Sequence, residues 1–307
     1  MMRPLITVLA ILLSVAAIPG GSAAQTAAEI KAPTFLHHEP NTYFLLPLPG
    51  DRVDVRYTPG SLDRAANIQS RLELELRAFH RWIGAELGIN VYVLSREEWE
   101  QTGYHIEYGM PVRVGRASLA APAAGDDATV ALWSEILDGI LPRVVGVPIR
   151  GKPQEAASMV LADFLIQLQA AEILVDELGL AGDQHWVRGL VTHVVVVDFV
   201  RRYEPSRMAD LDGMYKLLAR DRGPLSMSVR DYGPEMTLHD WTWFQAQFHQ
   251  GAKILLDKTG KGALKKIRKL DKKDDGVLRG HRLLKEFKQL DAWFRQTFSA
   301  VSTRTGP

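Results

Sequence analysis

The chain has 307 residues, 37 basic and 36 acidic side chains, nine histidines and no cysteine. A balance this close to neutral argues against a dedicated polyanion binder. The lack of cysteine excludes disulfides, thiolate zinc sites, a cysteine nucleophile and a lipid-modified N-terminal cysteine. With 46% apolar residues, stability has to come from the core, which a chain of this length can supply.

Residues 1–24 carry one charge at Arg3, an apolar run from Leu5 to Ile18 and the small residues Gly21-Ser22-Ala23-Ala24. That pattern predicts a secretory signal peptide cut after Ala24, hence an exported protein, periplasmic or extracellular. Its apolar run is too short for a stable membrane span, and the nearest later stretch, Leu190 to Val200, is interrupted by His193 and Asp198. Residues 25–50 read as a polar, proline-bearing arm that includes His37-His38. Val53, Val55 and Tyr57 alternate with charged neighbours as in a half-buried strand. From Leu62 to Leu87, Ala65, Ile68, Leu72, Leu76, Phe79, Ile83 and Leu87 form one apolar stripe, which predicts a long amphipathic helix closed by Gly88. Ile89 to Leu94 reads as a second strand. Ser95 and Glu98 form a capping box that opens a short helix to about Thr102.

Val112–Leu119 and Thr129–Trp133 are expected as further strands, separated by a loop over 120–127. The Pro- and Gly-rich stretch Pro142–Pro153 marks a boundary between an α/β sheet subdomain, 51–150, and a helical subdomain, 151–300, before a tail over 301–307. Helices are expected at Gln154–Leu178, His185–Tyr203, Ser206–Arg220, Thr237–Lys258, Gly262–Leu270 and Leu278–Phe298. The predicted fold class is α+β: a small N-terminal mixed sheet with a long amphipathic helix, then a mostly α-helical C-terminal half.

Three stretches carry a family resemblance: Tyr57-Thr58-Pro59-Gly60-Ser61 before the long helix, Val91 to Trp99 after it, and Gly251 to Gly260 followed by a Lys/Arg-rich helix. In this order the chain resembles the gluzincin-type zinc metallopeptidase domains of exported bacterial proteins. The resemblance implies a first helix bearing HExxH and a second, opening with Trp, bearing the glutamate that completes the metal site. Two histidines one turn apart face the same way and bind zinc, while the glutamate between them takes a proton from the metal-bound water. Matching the motif puts Ala162-Asp163-Phe164-Leu165-Ile166 at HExxH, and Trp186-Val187-Arg188-Gly189-Leu190 at the Trp-bearing signature. Ala162 and Ile166 cannot ligate a metal, Asp163 is a shortened base, and Arg188 puts a cation where a cation should bind. An ion pair between Arg188 and Asp163 would fill the vacated site.

The reading that follows is a catalytically inactive, metallopeptidase-like module. It would bind a peptide or protein partner in the cell envelope, without cofactor, nucleic acid or stable membrane span. One alternative is a metal-dependent hydrolase with a displaced zinc set such as His185 and His193. Another is a structural or chaperone-like envelope protein. Trp241, Gln245 and His249 share a helical face, as core packing or as a ligand groove. The acidic clusters Glu97-Glu98-Glu100 and Asp126-Asp127 are candidates for a glycosidase pair, and more simply charged helix starts. The lysines and arginines between Lys258 and Lys273 read as a solvated helix face. No G-x-S-x-G, S-x-x-K or P-loop is present.

Overall fold

The computed structural model describes residues 36, 38–104, 106–136, 153–180, 182, 184–219, 228–233, 236–271 and 280–298. The expected signal peptide, the tail, His37 and, save for Pro153, the boundary stretch lie outside the described residues.

A five-stranded mixed sheet forms the N-terminal half, in the order β1-β2-β3-β5-β4. The strands are β1 (Leu46–Leu48), β2 (Val53–Tyr57), β3 (Ile89–Leu94), β4 (Val112–Gly115) and β5 (Ser118–Pro122). β2, β3 and β5 run parallel, and each edge strand is antiparallel to its neighbour. Parallel neighbours need a crossover. α1 (Leu62–Ile83) supplies the first one, and its apolar stripe packs onto β2. Gly84 closes α1 in the left-handed conformation, φ 67°, donating its N–H to His80. The apolar spacing alone runs on to Leu87 because Ala85 and Leu87 are also buried, so the helix ends one turn before the expected Gly88.

Register sorts the sheet into two faces. Val55, Val91, Leu119 and Arg113 lie in one row, which faces the helices; Tyr92 and Ala120 lie in the alternate row. The supposed arm covers that second face. Leu36 donates its backbone N–H to Arg113 at one edge, and Glu39 accepts bonds from Tyr92 and Ser118. The chain then reaches the opposite edge as β1. Cover on both faces at β5 explains why that strand is buried throughout.

Two strand expectations are corrected. Val112–Leu119 is not one strand: the chain turns at Arg116-Ala117 to give β4 and β5, and β5 takes in Ala120-Ala121-Pro122 from the expected loop. Thr129–Trp133 is helical, within α3 (Asp127–Ile136). Asp126 caps that helix: its carboxylate accepts from the Thr129 N–H at 2.8 Å, and the Thr129 hydroxyl accepts from the Asp126 N–H at 2.8 Å. The capping box at Ser95–Glu98 forms as read and opens α2 (Arg96–Gln101).

The C-terminal half is helical: α4 (Pro153–Glu177), α5 (His185–Tyr203), α6 (Met208–Leu218), α7 (Leu238–Thr259), α8 (Ala263–Asp271), α9 (Gly280–Glu286) and α10 (Lys288–Phe298). The single helix expected over 278–298 is interrupted at the buried Phe287. α5 packs most closely on α7, where a Cβ on Gly189 would come within 2.6 Å of the Phe248 ring. Ser158–Glu177 is long and apolar enough to cross a membrane, which corrects the expectation that Leu190–Val200 was the nearest candidate. Most of that stretch is buried in the protein, against β5, α1 and α5.

Candidate functional site

α4 and α5 form an antiparallel hairpin, and such a hairpin pairs positions equidistant from its turn. The turn lies between Glu177 and His185 and is centred near 181. Arg188 therefore meets α4 near 174, more than two turns from Asp163. The expected pair between Arg188 and Asp163 does not form. Arg188 grips Asp176 instead, through Nε to Oδ1 at 2.9 Å and Nη2 to Oδ1 and Oδ2 at 2.6 and 2.7 Å. Arg113 of β4 donates to the same carboxylate. Glu172, one turn back on α4, has its carboxyl pushed up to about 7 by burial, against the pull of Arg188.

The remaining positions matched to the motif scatter. Ala162 and Ile166 are buried, and Asp163 pairs with Arg64 of α1 at 2.5 Å. Trp186 donates to Gln184 and packs on Phe294 with ring centroids 4.9 Å apart. Gly189 of the same segment is explained by the close approach of Phe248. These residues do not fit a zinc ion. Two of the matched positions carry aliphatic side chains, and two guanidinium groups already hold the carboxylate nearest Arg188. Among the described residues, no three His, Asp or Glu side chains converge in a way that would hold a metal.

The other sequence candidates are placed as follows. Trp241, Gln245 and His249 are all interior, so the face they share points into the core. Gln245 donates to the Tyr232 hydroxyl at 2.9 Å, and its carbonyl lies 2.8 Å from His193 Nε2. That orientation makes Nε2 the protonated nitrogen of a neutral His193. Burial holds His193 down at about 3, and Nδ1 has no partner among the described residues. His249 donates to Asp212 at 2.8 Å, and Lys253 donates to the other oxygen at 2.6 Å. Burial opposes ionisation of Asp212, but these two bonds hold its carboxyl at about 2. His185 is exposed at the start of α5, away from this network, and Asp198 pairs with Arg202. Glu98 is taken up by its cap and Asp126 by Arg96 at 2.5 and 2.8 Å, so both serve helix starts.

A concave polar feature that includes the matched positions Asp163 and Ile166 lies between α1 and α4. Arg64, Asn67, Ile68, Arg71, Leu72, Asp163, Ile166 and Gln167 line a cavity of about 210 Å³. Arg71 donates to Gln167 and, at 2.9 Å, to Glu204, which also accepts from Arg207 at 3.0 Å. Behind it, Glu75 is fully buried, and burial pushes its carboxyl up to about 8 despite the nearby Arg71. Spacing alone could not reveal this cluster. Glu75 lies on the stripe side of α1, and its partners come from α4 and from the residues after α5.

Compared with known proteins, the chain matches no family model, no curated protein and no solved structure. The gluzincin resemblance therefore rests on the sequence stretches quoted above.

Proposed function

We propose that this is an exported, non-catalytic, metallopeptidase-like module that binds a peptide or protein partner in the cell envelope. One observation carries the reading: the Arg188 guanidinium is clamped on Asp176, with Arg113 on the same carboxylate. In the resemblance, the Arg188 position belongs to an anionic metal ligand. Here it is a cation engaged in an ion pair of three side chains that ties β4, α4 and α5 together. Such a pair is retained for structure, since releasing the carboxylate to a metal would strand two guanidinium groups. The α1–α4 cavity supports binding because it is a polar concavity lined by two of the matched positions, Asp163 and Ile166.

The test is equilibrium dialysis of the mature protein against a mixed tryptic peptide pool, with mass spectrometry on both sides of the membrane. Retention of intact peptides is expected. New peptide termini that accumulate in proportion to protein and vanish on chelation would contradict the reading.

A further inference from the structure

Hydrogen-bonding capacity is left over beside the α1–α4 cavity. Around the α1–α4 cavity, Arg64 Nη2, Arg71 Nε and Gln167 Nε2 are enclosed donors without a well-formed hydrogen bond among the described residues. Gln167 is fully buried and lines the cavity. Unmet donors at that depth cost free energy, and the enclosed acceptors beside them, the Glu75 oxygens and Asp163 Oδ1, leave all three without a well-formed bond, so an added acceptor has donors to meet. The charge count points the same way. Arg64, Arg71 and Arg207 face Asp163 and Glu204, one cation in excess. Glu75 adds no negative charge at neutral pH, because burial keeps it protonated.

We propose that the cavity between α1 and α4 is a carboxylate-binding site, with Arg64, Arg71 and Gln167 supplying the donors. A single negative charge balances the one excess cation, and the planar guanidinium donors match the two oxygens of a carboxylate. A cavity of about 210 Å³ is smaller than pockets for drug-sized ligands. It admits a short organic acid or one acidic side chain, not an extended chain. Ile68, Leu72 and Ile166 supply an apolar wall for the carbons of such a ligand. This inference rests on the binding reading above and names the chemistry that the binding site would recognise.

The test is calorimetric titration of the mature protein with glutarate, with its diamide, with inorganic phosphate, and with a blocked tripeptide bearing one glutamate. Saturable binding of glutarate or of the tripeptide, and not of the diamide or phosphate, is expected. Glutarate binding would assign a free acid as the source, and tripeptide binding alone would assign a peptide side chain. R71Q and R64Q should each weaken binding about tenfold or more, the value of one charge-assisted bond. N67W keeps every charge, fills the cavity and should abolish binding while the thermal melt stays cooperative. Absence of saturable binding by both carboxylates, equal binding of phosphate, or binding unchanged in N67W would overturn the proposal. Zinc content, measured on the same preparation, separates the two failures. Stoichiometric zinc removes the non-catalytic reading, whereas no zinc and no carboxylate binding removes only this inference.

Discussion

Glu75 is fully buried on α1, and neither of its oxygens has a well-formed hydrogen bond among the described residues. Burial raises its carboxyl to about 8, Arg71 lowers it, and Glu204 raises it further. The folded protein therefore holds a proton that the unfolded chain releases near pH 4.5. Between those two values the folded state binds more protons, so stability falls as pH rises, by about 1.4 kcal/mol per unit. At pH 7 the span above 4.5 is about 2.5 units, a cost of about 3 kcal/mol. Glu75→Gln keeps the shape and removes the titration. It should stabilise the protein by about 3 kcal/mol at pH 7 and by under about 1 kcal/mol at pH 5. Urea unfolding followed by tryptophan fluorescence at pH 5, 7 and 8.5 measures this directly. A substitution effect that is the same at all three pH values, or that destabilises at pH 7, would refute the reasoning.

Three further outcomes follow from other parts of the structure. Asp176→Asn removes the carboxylate that holds Arg113 and Arg188, and should cost about 2–4 kcal/mol in urea unfolding. That is below the fully buried range because the Arg188 side chain keeps 35% exposure. Gly189→Ala drives a methyl into the Phe248 ring and should cost about 1–3 kcal/mol, whereas Gly213→Ala, with open space around its Cβ, should gain about 0.5–1 kcal/mol by helix propensity. His193 sits neutral at about 3 against an ordinary value near 6.5, so the folded state resists a proton that the unfolded chain takes up. Its contribution is present above 6.5 and is lost as pH falls toward 3. Relative to wild type, His193→Gln should therefore improve by about 1.4 kcal/mol per pH unit over that window, read from urea midpoints at pH 7 and 5.

The elements most legible in the sequence were those with one covered face and a local stop signal. β2 alternates because one side meets α1, β3 is bounded by Gly88 and Ser95, and the Ser95–Glu98 box marks α2 without any tertiary information. The helical half reads well for another reason: α5, buried on every face from Gly189 to Val200, is too long an apolar run for a strand and is bounded by polar residues at both ends. Legibility fails where burial is two-sided or where a cap competes with propensity. β5 has no alternation because the N-terminal arm covers its far face. The run Ala128-Thr129-Val130-Ala131-Leu132-Trp133 looks like a strand until Asp126 is recognised as a helix cap. The expected pair of Arg188 with Asp163 fails for a different reason: hairpin arithmetic sets Arg188 opposite the stretch from Glu172 to Asp176, which motif spacing does not contain. The α1–α4 cluster was not legible at all, because ion-pair partners more than 90 residues apart share no local pattern.

The most direct test of the central claim, that this fold binds without metal chemistry, is elemental analysis of the mature protein. The protein should be purified without a histidine tag and dialysed against trace zinc. The account expects zinc at background level, unchanged by substitution of His185 or His193. Zinc approaching one ion per chain, and lost on substituting either histidine, would contradict it.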